Sequence, residues 1–398
     1  MKIITSIDRD SVRFDFPEIS KCLRELTVKY LHERIERDRA QFWREDKAFK
    51  TRSECEKKAK QFAHDLTDEL SSHASIDFQR TLRIPDDGKD YPLPPGLGRF
   101  PLNHVDDFSD RLPPSWSERG GAMLPMHQSE ALWLHFEANY PVALKMGTGK
   151  ICAVSGEQWR DGLSRTPQNY CLLPNQPWID GYAVEKGIIR QFIAEPLSSG
   201  FTVEEQLTGK GEWGGIQLQA YPLDPEIYWK ERIRDQADEL WNQWLFPQEI
   251  MLQLCAAGLG VTRIHESRSL VSACYDDVEM GLAAGGRMKQ EIYEDDRSSS
   301  DYIDCAGNRC FVHLCNSAQW ELITGDAPPD SPPSARDYSR HGLPWFDYYD
   351  EKQTSLPGGK KLKAIKSVKQ LESDTGKGVL PGDEEAKPKV IVKYIKDC

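Results

Sequence analysis

The fold of this chain is decided by two segments, GIIRQFIAE at residues 187–195 and IQLQAY at residues 216–221. The first carries apolar side chains on both faces of an extended segment, which is typical of a central strand covered on each side. The second alternates strictly, which predicts a half-buried strand with Gln217, Gln219 and Tyr221 on its other face. Together the two segments predict a β-rich core.

Between an apolar strand at residues 170–173 and these segments lies the sequence PNQPWIDG, residues 174–181. Two prolines fix φ and Asp-Gly favours a turn, so this should be a stiff loop that carries Trp178 and Asp180. An aromatic ring beside hydrogen-bonding side chains on rigid elements suits a polar ligand. The predicted ligand groove comprises Trp178, Asp180, Arg190, Gln191, Gln217 and Gln219. The alternative is a capped sheet end with Trp178 as its cover.

The whole chain is predicted to be mainly β, α+β overall, with a β-sandwich or barrel-like core and packed helices. Residues 1–17 supply a strand of that core. Residues 18–72 have apolar positions at helical spacing and a capping box at Ser53 and Glu56, which predicts a helical hairpin insertion. We interpret it as a surface addition; a dimerising or partner-binding arm is the alternative. Residues 73–350 form the main domain, with helices near 224–259. One is predicted from about 224 to 245, capped by Asp224, and a shorter one over 249–259.

Residues 351–398 hold eleven lysines and seven acidic residues, which predicts a basic, partly flexible tail on an acidic body. The net charge of −12 argues against binding to nucleic acid, which requires a basic footprint. No apolar run reaches the roughly 18 residues of a membrane span, and charge follows the first methionine too closely for a signal peptide. Ten scattered cysteines are then expected to be reduced, in a cytoplasmic protein.

The cluster of Cys305, Cys310, His313 and Cys315 has the residue types of a zinc site. On a strand, however, Cys310 faces away from His313 and Cys315, so no metal is predicted. No nucleotide, nucleophile or cofactor motif is found, and no cofactor is predicted.

The run GLAAGGRM at residues 281–288 has two interpretations. Its small residues allow close backbone packing. Alternatively its amides could face an anion with Arg287 beside it, so Arg287 is included among the candidate ligand-binding residues.

Six carboxylates fall between residues 180 and 212. If two of them faced each other across a groove, they could perform acid–base chemistry of the glycosidase type. The six are Asp180, Glu185, Glu195, Glu204, Glu205 and Glu212.

Four stretches resemble sequences of a family of uncharacterised microbial proteins: PNQPWIDG at 174–181, RQFIA at 190–194, GLAAGGRM at 281–288 and GLPWFD at 342–347. The resemblance spans roughly residues 76–350 and implies no activity, fold or cofactor.

From the sequence we expect a soluble intracellular binding or assembly protein. Its ligand, a polar small molecule or a protein partner, should lie around the 174–181 loop. The alternative is a hydrolase-like enzyme that uses the carboxylates of residues 180–212. The residues alone leave open whether the protein is an enzyme.

Overall fold

The computed structural model describes residues 2–37, 51–68, 72–245, 278–304, 308–331, 334–349, 353–376 and 390–395. Its contacts divide the chain into two compact units. The helical unit comprises residues 1–2, 16–72 and 223–270, and the sheet unit comprises residues 3–15, 73–222 and 271–398. The predicted helix at 249–259 and residue Cys305 lie outside the described residues.

Within its 16–72 segment, the helical unit contains two long helices, α1 at Pro17–Arg37 and α2 at Arg52–Asp68. A third helical segment begins at Pro225. Asp224 is its N-cap, and the Asp224 side chain accepts a hydrogen bond from the Glu226 amide at 2.8 Å. It runs as α5 over Pro225–Tyr228, a π-helical turn over Trp229–Ile233 and α6 over Arg234–Leu245. The helix predicted from about 224 to 245 is thus confirmed.

Apolar positions at helical spacing bring these helices together, with Leu31, Ile35, Cys55, Ala59 and Ala237 in one buried cluster. Polar contacts fix the arrangement further. Trp229 Nε1 donates to Thr27 Oγ1 at 3.0 Å, and Arg34 forms an ion pair with Asp238 at 2.9 Å.

The sheet unit is built on a continuous hydrogen-bonded sheet of 17 strands. The strands are β1 Ile4–Ile7, β2 Ser11–Asp15, β3 His73–Thr81, β4 Asp90–Tyr91, β5 Gly96–Arg99, β6 Asn103–His104, β7 Ala122–Met126, β8 Ala131–Ala138, β9 Val142–Thr148, β10 Ile151–Cys152, β11 Cys171–Leu173, β12 Trp178–Ile179, β13 Gly181–Glu185, β14 Ile188–Pro196, β15 Ile216–Pro222, β16 Glu279–Lys289 and β17 Arg309–Asn316.

Ten of these strands follow one another through antiparallel pairs, in the order β1, β2, β3, β8, β14, β16, β17, β15, β9, β11. Short strands β4 and β7 join β16 and β17 in parallel. The prediction of a mainly β protein with packed helices is confirmed. Over the described residues the sheet does not close into a barrel.

Both segments that decide the fold are strands, β14 and β15, but the second is not half-buried as predicted. All seven residues of β15 are buried, because the strand pairs with β9 on one edge and β17 on the other and both its faces are covered. The strict alternation predicted that one face of this strand would not be buried, and this is wrong for the face that carries Gln217, Gln219 and Tyr221.

The shorter helices of this unit are α3 Pro114–Arg119, α4 Val203–Thr208, α7 Ser317–Thr324, α8 Ala335–Arg340 and α9 Val368–Thr375, with 3₁₀ turns at Val105–Arg111, Ser299–Asp301 and Leu362–Ala364. Strands β18 Pro344–Tyr349 and β19 Val390–Ile395 pair in parallel as a separate two-stranded sheet. Within the last segment of the chain, Leu362, Ile365 and Val368 are buried. None of the described helices combines the length and apolarity needed to cross a membrane.

Candidate functional site

An apolar pocket of about 420 Å³ opens on the sheet unit. Pockets of this size accommodate small organic ligands. Of the described residues that line it, seven are apolar or glycine and one is a carboxylic acid: Leu93, Pro94, Pro95, Gly96, Trp133, Trp178, Phe346 and Asp180.

One wall consists of two indoles on neighbouring strands. Trp133 belongs to β8, and Trp178 belongs to β12, where it stands directly opposite His135 of β8. Residues two apart on a strand share a face, so both indoles lie on the same side of the sheet. Their rings meet edge to face, with centroids 6.5 Å apart and an interplanar angle of 75°. The Nε1 of Trp133 is buried and donates to no described residue.

The opposite wall is formed by the 93–96 segment and Phe346 of β18. Leu93 and Phe346 exchange two backbone hydrogen bonds, of 2.7 and 2.9 Å, which fix Phe346 beside the loop. Gly96 permits the loop to approach the indole wall, since a Cβ there would lie 3.3 Å from Cζ2 of Trp133 and 3.2 Å from Oε1 of Gln79. The pocket is thus enclosed by backbone-held elements.

Asp180 is the polar residue among the described residues that line this pocket, and it is 2% exposed. It forms a reciprocal pair with Gln290: Gln290 Nε2 donates to Asp180 Oδ2 at 2.7 Å, and the Asp180 amide donates to Gln290 Oε1 at 3.0 Å. The other carboxyl oxygen, Oδ1, accepts no hydrogen bond from the described residues. Asp180 is therefore held in place by one neighbour and has one acceptor atom to spare.

Burial raises the pKa of Asp180 from 3.8 to about 7, and the Gln290 hydrogen bond opposes that shift only in part. Near neutral pH the carboxyl is consequently a mixture of its ionised and protonated forms. It can accept a hydrogen bond as a carboxylate or donate one as an acid, and a charged ligand would shift it towards one form.

Next to the indole wall, Asp77 of β3 and His135 of β8 form a cross-strand pair. His135 Nδ1 lies 2.9 Å from Asp77 Oδ2, and Gln79 and Arg99 also contact the Asp77 carboxylate. The His135 ring meets Trp133 edge to face at 6.0 Å. A carboxylate that orients an imidazole is a common element of acid–base sites.

Of the seven predicted ligand-binding residues, Trp178 and Asp180 line the pocket. Gln191 is fully buried and joins β14 to the 82–84 segment, because its Oε1 accepts from the Ile84 amide at 2.8 Å and its Nε2 donates to the Leu82 carbonyl at 2.7 Å. Gln217 and Gln219 are buried within β15. These three glutamines do not line the pocket.

The two predicted arginines are engaged by other groups. Arg190 Nη1 donates to the Gly285 carbonyl at 3.0 Å and lies 3.4 Å from Asp86. Arg287 forms ion pairs with Asp90 at 2.7 Å and Glu185 at 3.4 Å. The GLAAGGRM run is the interior of strand β16 and not a loop, as the close-packing interpretation requires.

The carboxylates of residues 180–212 do not form a pair. No hydrogen bond joins any two of them within the described part of the chain. Each of the five besides Asp180 has a different partner: Glu185 with Arg287, Glu195 with Ser129 and Gln128, Glu204 with the amides of Trp213 and Gly214, Glu205 with Thr202, and Glu212 with Lys150.

Of the four residues considered for zinc, Cys310, His313 and Cys315 lie on β17, and Cys305 lies outside the described residues. His313 stacks on Trp116 with centroids 4.5 Å apart, and its Nε2 lies 3.1 Å from the Gly120 carbonyl. Burial lowers the pKa of His313 to about 3. Cys315 packs in the apolar cluster around Trp116. Among the described residues no three potential ligands converge on a metal position.

Sequence reasoning missed Trp133, the 93–96 segment and Phe346 as parts of the site. Two signals for these residues are present in the sequence: the alternation of β8 places Trp133 and His135 on one face, and Phe346 lies in the aromatic GLPWFD run. Their convergence depends on the β3–β8–β12 register and the Leu93–Phe346 bridge. No known protein family, curated protein or solved structure matches this chain.

Proposed function

We propose that the protein is a small-molecule binding protein of the cytoplasm, and that its ligand occupies the pocket between the two indoles and Phe346. The observation that carries this proposal is an apolar pocket of about 420 Å³ with a single carboxyl among the described residues that line it. Apolar walls supply most of the affinity in such sites, and a single polar group orients the ligand. The ligand thus has an apolar body and one polar group directed at Asp180.

Binding is favoured over catalysis because the described residues that line the pocket include no nucleophile and no second ionisable group. The hydrolase alternative would require a second reactive group near Asp180. The Asp77–His135 pair is the candidate for that group, since it adjoins Trp133. Turnover of a bound ligand that depended on His135 would favour this second function.

The test is a fragment screen with neutral aromatic and aliphatic compounds, followed by saturation-transfer NMR and thermal shift. Compounds that bind the native state raise its melting temperature. Trp178→Ala should weaken the binding of the hits at least tenfold, because it removes one of the two indoles that form a wall of the pocket. Trp213→Ala is the matched control, since Trp213 is also a partly exposed indole but packs against Phe311 and Arg119.

A second variant, Phe346→Ala, removes the opposite wall and keeps the test decisive if Trp178→Ala folds poorly. Hits that bind folded Trp178→Ala and Phe346→Ala as tightly as the wild type would place the ligand elsewhere. The proposal would then be wrong.

A further inference from the structure

The charges around the pocket limit the chemical class of the ligand more than the apolar walls of the pocket do. Asp180 is the one ionisable residue among the eight described residues that line the pocket, so an anionic ligand would meet a carboxylate with no compensating cation among them. Its Oδ1 has no donor from the described protein, whereas Oδ2 is already engaged by Gln290. The site therefore offers one free anionic acceptor in an apolar environment.

The aromatic residues of the pocket also favour a positively charged ligand. Trp133 and Trp178 meet at 75°, so the indole wall presents both a ring face and a ring edge, and Phe346 stands on the other wall. The π faces of Trp and Phe attract cations, most strongly where water is excluded. A positively charged group held between these rings would also lie within the field of Asp180.

Resting on the small-molecule function proposed above, we infer that the ligand is an organic cation, an amine or quaternary ammonium compound with an apolar body. The ammonium group binds against Asp180 and the indoles, and the apolar body lies along Leu93, Pro94 and Phe346. A free small molecule is favoured over the lysine side chain of a partner protein. The pocket is about 420 Å³, which lies within the size range of small-molecule sites.

Three probes with the same aromatic body separate the possibilities: phenethyltrimethylammonium, 2-phenylethanol and 3-phenylpropanoate. Isothermal titration at pH 8 should give a Kd for the cation at least tenfold below that of the alcohol, with no detectable binding of the anion. Asp180→Asn keeps the size of the side chain and an acceptor for Gln290 but removes the charge. It should weaken the binding of the cation at least tenfold and leave the affinity for the alcohol within twofold of the wild-type value.

The control variant is Glu185→Gln, which makes the same chemical change five residues along at a carboxylate that is 47% exposed and outside the pocket. It should leave the affinities for all three probes unchanged. A loss of cation binding in Glu185→Gln equal to that in Asp180→Asn would indicate a general effect of the protein's negative charge and would overturn the inference.

The pH dependence supplies a second readout. Only the ionised form of Asp180 attracts the cation, and with a pKa of about 7 that form falls from about one half at pH 7 to about one hundredth at pH 5. Cation affinity should therefore fall roughly fiftyfold over that interval, and binding at pH 6 should release a proton that appears as a buffer-dependent enthalpy. The alcohol should show neither effect.

Other groups near Asp180 could in principle produce such a dependence. The residues that contact it in the described part of the chain are uncharged, namely Gln290, Phe192 through its amide, and the pocket wall. The ionisable groups that adjoin that wall are His135, on the same face of β8 as Trp133, and Asp77, which contacts His135. A pH dependence that persists in Asp180→Asn would belong to another group and count against the inference.

The two proposals fail in different ways. If the alcohol and the cation bind with equal affinity and both are lost in Trp178→Ala, the pocket stands as a binding site and the ammonium inference is overturned. If none of the probes binds and the fragment screen is also negative, the small-molecule function itself is wrong.

Discussion

Replacing Asp180 by asparagine should change the stability of the protein in a manner that depends on pH. The folded-state pKa of Asp180 is about 7, against 3.8 when the residue is unperturbed, because the carboxyl is buried. Between these two values the folded protein binds more protons than the unfolded chain does. Its stability relative to Asp180→Asn must therefore fall as the pH rises from about 4 to about 7 and then level off.

The magnitude follows from the size of the shift. Three pKa units correspond to about 4 kcal/mol in total, at about 1.36 kcal/mol per unit. Roughly 2.5 kcal/mol of this falls between pH 5 and pH 8. Any constant cost of the substitution, such as an imperfect hydrogen bond from Gln290, cancels when the change with pH is measured. The measurement is urea denaturation of both proteins at half-unit steps from pH 5 to pH 8.

The quantity to plot is the unfolding free energy of the variant minus that of the wild type. It should rise by roughly 2.5 kcal/mol over this range, and a flat line would refute the description of Asp180 as a buried carboxyl of raised pKa. Asp87 provides a control of opposite sign. Burial opposes the shift at Asp87, but hydrogen bonds from Lys89 and Tyr91 outweigh it and lower the pKa. Asp87→Asn should lose relative stability as the pH rises through the acidic range.

Three further predictions concern the framework. Gln191→Leu leaves two buried backbone groups of the 82–84 segment unpaired, at about 1–3 kcal/mol each, so denaturant melts should show a loss of roughly 3 kcal/mol; a loss below 1 kcal/mol would contradict the bridge. Trp229→Phe removes the 3.0 Å bond to Thr27 and should cost about 1 kcal/mol in the same assay, whereas an unchanged midpoint would mean that this bond contributes nothing. His313, whose pKa is lowered to about 3 by burial, should destabilise the wild type as the pH falls below 6.5, by about 1.4 kcal/mol per unit. His313→Phe should lose this dependence, and persistence of the slope would assign it to another group.

The strands were predictable from the sequence where a local pattern dictates the structure. The apolar residues on both faces of 187–195 required a covered strand, and that is β14. The cap at Asp224 and the apolar spacing after it located the third helix of the helical unit correctly. In each case the determining interactions lie within one element or follow from its periodicity.

The burial of β15 could not be read from its pattern, because periodicity reports which residues share a face and not whether that face is covered. Gln217 and Gln219 resemble surface residues until β9 and β17 enclose them. The pocket could not be predicted from the sequence either. Trp133 and Phe346 are separated by more than 200 positions in the chain, and they come together only through strand register and the bridge to Leu93.

The nature of the residue at position 180 argues for a ligand that uses its charge. The fold requires an acceptor there for Gln290 Nε2 and an amide that donates to Gln290 Oε1. Asparagine would meet both requirements without the free-energy cost of a buried carboxylate, about 4 kcal/mol at high pH from the shift above. What aspartate adds is a negative charge in the lining of an apolar pocket that two indoles also line. A cation in that pocket would lower the pKa of Asp180 again, so ligand binding would recover part of the stability that the buried charge costs.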